Sequence, residues 1–304
     1  MRVGITGASG LIGRTLVEAL RERNEEVVRF VRPGGSFEAP VVRWDPSRGL
    51  IDDGDLTRVG RMDALVHLAG AGIGDRRWTE GRKREILDSR TKSTDLLVEA
   101  MSTGALSTPH FVSGSAIGYY GSRGDNELDE TSSRGEGFLA NVCVKWESSA
   151  LRARTHGTDV TLLRTGIVMS DLGGALKSQL PFFRFGLGGR LAKGRQWLSP
   201  ISLRDEVRAI LWTIDHQLVG PVNLTSPAPL RNSDFTRALG QHLHRPTIAR
   251  VPALALQVAL GVEFANELLL ASERVIPRVL SECGFTFNNP DIASILKSAL
   301  THGP

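Results

Sequence analysis

Only two cysteines, Cys143 and Cys283, occur in 304 residues. They lie far apart and supply neither a disulfide framework nor metal-ligand spacing, so a reducing, cytoplasmic setting is expected and no metal. No apolar run approaches the roughly 20 residues that a membrane-spanning helix needs. The longest, Val251 to Val262, stops short and contains Gln257, so no membrane partner is expected. Met1 leads directly into a strand needed by the fold, so no signal peptide is expected. Lysine and arginine number 37 against 33 acids, a net charge of +4, with no basic block; nucleic acid is not an expected partner. Tyrosine is also scarce: Tyr119 and Tyr120 are the whole supply.

What is present starts at Val3 to Gly13, "VGITGASGLIG". A short apolar run ends in Thr6, and the helical pattern Leu11, Leu16, Val17, Leu20 follows. Gly7, Gly10 and Gly13 stand three apart. Gly7 permits a sharp turn off the strand, Gly10 lets a backbone N–H approach a diphosphate, and Gly13 lets the helix pack closely on the sheet. A helix N-terminus with free N–H groups suits a phosphate. With Ser9, Leu11 and Ile12, these glycines form the expected dinucleotide-binding loop of a βαβ unit.

Glu26 to Val31 reads as the second strand, and Arg32 follows it. An acid at such a position would bind the 2′-hydroxyl of NAD, whereas an arginine accommodates the 2′-phosphate of NADP. Arg32 therefore favours NADP, unless it is simply a solvated loop cation. Val41 to Trp44 is a third strand; Asp45 after it either contacts adenine or starts a turn. Asp63 to Gly70 is a fourth, bringing Leu68, Ala69 and Gly70 towards the cofactor, with His67 read as a packed strand residue. Arg82 to Met101 is a long helix that places Glu85 and Arg90 near the cofactor edge. His110 to Ser113 is a fifth strand, Arg123 to Gly137 a polar mobile loop, Phe138 to His156 a helix and Val160 to Arg164 a sixth strand that leads to Val168.

From Ser170 to Leu203 the alternation loosens into a glycine-rich excursion with the cations Lys177, Arg184, Arg190, Lys193 and Arg195. It follows the C-terminal end of a strand, where open α/β sheets bind ligands. Asp205 to His216 (helix) and Val222 to Thr225 (strand) return to the sheet. Beyond Pro227 the pattern is mostly helical, over Asn232 to Leu243, Ala253 to Val262, Glu267 to Arg274 and Asn289 to Leu300. The expected fold is α/β: a Rossmann-type doubly wound parallel sheet over residues 1–226, with residues 170–203 as a substrate-side excursion and 227–304 as a small, mostly helical domain.

The motifs "TGASGLIG", "HLAG", "YYG" after a serine-bearing strand and "SLRDEVRAI" resemble the extended short-chain dehydrogenase/reductases. "WDP", "SRTKST", "KWE", "PFFRFGLGG" and "GPVNLTSPAPLRNSDFTRALG" resemble, within them, the sugar-nucleotide-epimerase-like subfamily. The resemblance spans nearly the whole chain. It implies an NADP-binding Rossmann domain with contacts from the glycine loop, Arg32, Leu68, Ala69, Glu85, Arg90 and Val168, and a short C-terminal substrate-side domain.

The same resemblance implies a catalytic serine, tyrosine and lysine. The tyrosine and lysine would stand four apart on one helix face, the lysine contacting the nicotinamide ribose and lowering the tyrosine pKa. Ser115 takes the serine role, with Ser113 behind it, and Lys145 the lysine role. Asn141 stands where the tyrosine should be. Anchoring on Glu147 instead would put Leu139 and Cys143 at the pair. Asparagine is no general base near neutral pH, which leaves three readings: Tyr119 or Tyr120 supplies the proton, Asn141 and Lys145 act through a water, or the site binds NADP without turnover. Arg184, Arg190, Lys193 and Arg195 could hold a diphosphate on a small-molecule substrate, or merely face solvent. The expected activity is that of an NADP-dependent oxidoreductase or epimerase, the alternative an NADP(H)-binding regulatory protein. Oligomeric state stays open.

Overall fold

The computed structural model describes residues 1–34 and 40–300, so the last four residues of the C-terminal segment lie outside it. In chain order the elements of the first half are β1 (Arg2–Thr6), α1 (Leu11–Glu22), β2 (Glu26–Val31), β3 (Val41–Asp45), β4 (Leu50–Ile51), α2 (Asp53–Val59), β5 (Ala64–His67), α3 (Glu80–Ser102), β6 (His110–Ala116), β7 (Glu127–Leu128) and α4 (Phe138–Leu151). The second half holds β8 (Asp159–Thr165), β9 (Ile167–Met169), α5 (Gly174–Arg184), β10 (Gly189–Leu191), β11 (Trp197–Leu198), β12 (Pro200–Ser202), α6 (Leu203–Asp215), β13 (Gly220–Leu224), β14 (Leu230–Arg231) and α7 (Asn232–His242). It ends with β15 (Ala249–Val251), α8 (Ala253–Leu260), α9 (Val262–Phe264), a π turn (Ala265–Leu269), β16 (Arg274–Val275), α10 (Arg278–Glu282) and α11 (Ile292–Ala299).

The main sheet runs β13-β8-β6-β5-β1-β2-β3-β4. Its neighbours are parallel except β4, which closes the edge antiparallel to β3. Both faces are covered, which is why its strands read as nearly continuous apolar runs. On one face Leu16 and Leu20 of α1 and Val207 and Ile210 of α6 pack on Val3, Ile5 and Leu163. On the other Leu56 of α2, Leu97 of α3 and Ala150 of α4 pack on Val28, Leu65 and Phe111. This is the doubly wound Rossmann-type α/β sheet expected. The order reverses at β1, between β2 and β5, and such switch points are where open α/β sheets bind ligands.

A further core joins the excursion to the C-terminal segment: Leu176, Leu180 and Phe183 pack with Phe235, Leu239, Ile295 and Leu296. The chain's end also returns to the sheet, where Leu280 and Phe285 share the core with α1 and α6.

Two expectations need correction. Glu267 to Arg274 is not one helix: Glu267 to Leu269 complete the π turn, and beyond it Ser272 N–H donates to Ser122 Oγ at 3.1 Å and Arg274 begins β16. The loop over residues 123–137 is pinned, since the Arg123 guanidinium donates to the carbonyls of Tyr120, Ser133 and Arg134 and β7 pairs with β16.

Candidate active site

The glycine loop lies at the C-terminal end of β1, at the switch point. Gly7 has φ +69°, and a Cβ there would stand 2.8 Å from the Leu68 carbonyl carbon. A Cβ on Gly13 would stand 2.2 Å from Gly7 O. Neither position admits a side chain, and so the turn and the helix start are locked together. Gly10 differs. It is exposed, and Gly7 O at 3.3 Å is the sole neighbour a Cβ would meet. No side chain caps α1, so its first-turn N–H groups face the same open side as Gly10 and Ser9. The shape and donor chemistry fit a dinucleotide diphosphate.

The floor of this cradle is tied down by a buried polar hub. Thr6 Oγ1 accepts from Leu68 N–H at 3.1 Å and Ala69 N–H at 3.2 Å, and contacts His67 Nδ1 at 2.7 Å. His67 Nε2 meets Thr94 Oγ1 at 3.0 Å and Ser93 Oγ at 3.1 Å. Burial, together with the Arg90 charge, pushes His67 down to about 3, so it stays neutral. Arg90 lies against Gly70 and donates to Ala71 O at 3.0 Å. Val168 is half-buried in β9, and a Cβ on Gly173 beyond it would stand 3.4 Å from the Leu11 side chain. The loop, Leu68 to Gly70, Arg90 and Val168 thus surround one site. Glu85 is exposed, and its carboxylate pairs with Arg82 at 2.7 Å. Arg32 ends β2 exposed, with no ion pair among the described residues. Asp45 starts a turn, accepting from Ser47 N–H at 3.1 Å and from its hydroxyl at 2.6 Å.

The catalytic positions require larger corrections. Lys145 and Asn141 are exposed, in line with Ser148 and Arg152 on the outer face of α4. At 3.6 residues per turn Lys145 lies about 200° round the helix from Cys143. Leu139 and Cys143 face the turn that follows β6 instead, both meeting the space beside Gly118. The Cys143 thiol is pushed up to about 12 by burial and by Glu147, and remains protonated. Lys145 therefore points away from the buried face of α4 that carries Cys143.

Ser115 is buried, and its hydroxyl donates to Glu147 Oε1 at 2.6 Å, which commits its one proton. Ser113 is buried too and donates to Gly114 O. Glu147 is gripped by Arg164, whose Nε and Nη2 each donate at 2.9 Å. Arg164 Nη1 donates to Tyr120 Oη at 3.0 Å, and Tyr120 donates to Asn223 Oδ1 at 2.7 Å. Tyr120 is fully buried and its phenol is pushed up to about 12, chiefly by desolvation. It is a strut of this network and no proton donor. Tyr119 is half-buried, its hydroxyl makes no hydrogen bond among the described residues, and Arg164 Cζ lies 3.5 Å from its ring centre.

The profile of the NAD-dependent epimerase/dehydratase family matches residues 3–223, and that of a domain of unknown function, DUF1731, matches 251–299. An epimerase family protein of Mycobacterium tuberculosis is 44% identical over 302 residues, covering 98% of this chain and 97% of the relative. The chain belongs to the NAD-dependent epimerase/dehydratase family. A crystal structure of the human epimerase family protein SDR39U1 with NADPH aligns with a TM-score of 0.89 at 30% identity, covering 99% of this chain and all of that one. A nucleoside-diphosphate sugar epimerase from Corynebacterium glutamicum aligns with a TM-score of 0.76 at 31% identity, covering 99% of this chain and 58% of that one. A nicotinamide dinucleotide is the cofactor class of this epimerase family, and the cradle at Gly7 to Gly13 fits it.

In this family member a cavity of about 750 Å³ opens between the excursion and the C-terminal segment. Lys193, Arg195 and Arg231 line it, with Asp125, Gln196 and Ser272. Arg184 and Arg190 do not. Arg231 pairs with Asp125 at 2.8 Å and lies over the Trp197 ring. Sequence reasoning missed Arg231, because its recruitment depends on β14 pairing with β11. It also missed Glu267, whose carboxylate accepts from Phe138 N–H at 2.9 Å and Leu139 N–H at 2.8 Å, capping α4 from another part of the chain. Glu273 follows Ser272 of the cavity wall, and burial plus the Glu267 charge push its carboxyl up to about 8.

Proposed function

We propose that the chain is an NADP-dependent oxidoreductase or epimerase acting on a hydroxylated small molecule that carries a diphosphate, of the sugar-nucleotide kind. The carrying observation is the open Gly10 edge at the sheet's switch point, with an uncapped helix N-terminus behind it. Two relatives support the finer terms: the human protein is solved with NADPH, and the Corynebacterium protein is described as a nucleoside-diphosphate sugar epimerase.

Leu68, Ala69 and Gly70 line the cofactor's path, and Arg32 meets its 2′-phosphate. The bound cofactor supplies the hydride acceptor or donor. Lys193, Arg195 and Arg231 hold the substrate diphosphate by charge-assisted hydrogen bonds. Tyr119 Oη is the group left to exchange the substrate hydroxyl proton, because Tyr120, Ser115 and Lys145 are committed or turned away. Nicotinamide absorbance and substrate stereochemistry, followed over a panel of sugar nucleotides and carbonyl compounds, test the reading. Turnover that collapses in Tyr119→Phe is the expected result; an inert panel overturns it.

A second reading has its own observation. Leu139 and Cys143 hold the positions of α4 that face the turn after β6, where an acid–base pair would stand. A regulatory protein that binds NADP(H) without turnover follows from that, and it predicts that Tyr119→Phe leaves cofactor affinity and any partner response intact.

A further inference from the structure

The apolar run Val251 to Val262, too short to span a bilayer, takes no part in the site described above. It supplies the last residue of β15 and all of α8, and not one residue of α8 is buried. Leu254 and Val258 are each 70% exposed. Ile248, just before β15, is 94% exposed, and beside it Phe185 at the end of α5 is 81% exposed and Leu187 67%. Register makes these neighbours: Gly189 pairs with Ala249, and Gly186 faces the Pro246 ring. Scattered apolar side chains on a surface are ordinary; a contiguous set of this size marks an interaction site.

The charge pattern of the same segments is one-sided. Residues 184–190 and 245–250 hold Arg184, Arg190, Arg245 and Arg250 and no aspartate or glutamate. Arg190 and Arg250 are direct partners across the β10–β15 ladder, and both are exposed. Arg245 Nε donates to the backbone carbonyl of Arg184 at 2.8 Å, which holds the exposed Arg245 beside the end of α5. Like charges placed opposite each other cost stability unless an anion lies between them.

We propose that this face, Phe185, Leu187, Ile248 and α8 ringed by Arg184, Arg190, Arg245 and Arg250, docks on an anionic lipid bilayer. Its apolar tips come from separate pieces of chain, Phe185 and Leu187 after α5, Ile248 before β15, and Leu254 and Val258 on α8. A bilayer takes such tips without shape complementarity, whereas a protein partner would need a matching surface. A second copy of this chain would bring the same cations together across an isologous interface. Anionic headgroups satisfy the cations while the apolar tips enter the acyl boundary. No described helix is long and apolar enough to cross a membrane, so docking is at the surface.

Sedimentation of the full chain with vesicles tests this. Binding to vesicles of phosphatidylglycerol and phosphatidylcholine, and none to phosphatidylcholine alone, is expected. Removing Arg190 or Arg250 lowers partition by about fivefold each, and high salt abolishes it. The double variant Phe185→Ser, Ile248→Ser lowers it by more than about tenfold, with thermal midpoint and dinucleotide affinity unchanged as proof of folding. Equal binding to both vesicle types, no binding, or an unaffected double variant overturns the proposal. So does a stable dimer that Ile248→Asp splits while vesicles stay unbound.

Discussion

Arg164 lies flat against Tyr119, 3.5 Å from ring centre to guanidinium carbon, while its fork grips Glu147 with two hydrogen bonds of 2.9 Å. One buried cation thus both holds α4 to the sheet and sets the tyrosine proposed to carry the proton. Removing one member of a buried pair leaves the other charge uncompensated, at a cost of about 3–5 kcal/mol. Arg164→Met is expected to lose stability in that range by urea unfolding. Arg164→Met combined with Glu147→Leu recovers much of it, and Tyr119-dependent turnover stays lost in both.

Gly13→Ala places a methyl group 2.2 Å from Gly7 O. The loop must shift to admit it. NADPH affinity, measured by titration of nucleotide fluorescence, is expected to fall by at least about tenfold.

Arg32→Ala is expected to weaken NADPH and leave NADH nearly untouched. A hydrogen bond to a charged group contributes about 1.5–3 kcal/mol, so the preference shifts by about 10–100-fold. Parallel titrations with both coenzymes measure it. An unchanged ratio removes Arg32 from the site.

Lys145→Ala and Asn141→Ala are expected to be nearly silent. Both side chains are exposed on the outer face of α4, where substitutions change stability by less than about 0.5 kcal/mol. Dinucleotide affinity and turnover stay at wild-type values, in contrast to Tyr119→Phe.

Glu206 gives a pH dependence. Burial raises its carboxyl from 4.5 to about 8, and Thr165 Oγ1, donating at 2.8 Å, only partly opposes this. The folded state therefore binds the extra proton between those two values. Stability is greatest below the unfolded value and falls as pH rises through the window, by up to about 1.4 kcal/mol per pH unit, with no further loss above it. Glu206→Gln removes the slope and is more stable than wild type at the alkaline end. Urea unfolding over a pH series checks the sign.

The strand–loop–helix start was legible because glycine spacing and apolar runs are local signals, and the sheet followed from them. The active-site geometry was not, because a helix face cannot be chosen from one polar residue. Lys145 looked catalytic by type and by its setting in "KWE". The buried partners of Glu147 decided the face, and Arg164 stands 17 residues away on β8. The cavity was half legible: Lys193 and Arg195 were visible in a basic excursion, and Arg231 came to it through a strand pairing with no sequence signature. The segment from Glu267 to Arg274 looked helical because its residue types allow it, yet Glu267 to Leu269 form part of a π turn and the residues beyond it are held by hydrogen bonds to distant loops.

The carboxylate of Glu267 closes the first turn of α4 from across the chain. The region matched only by a domain of unknown function is therefore no detachable appendage. A shortened chain ending near residue 250 would begin α4 with two bare amide protons, and the wall carrying Leu139 and Cys143 would fray from that end.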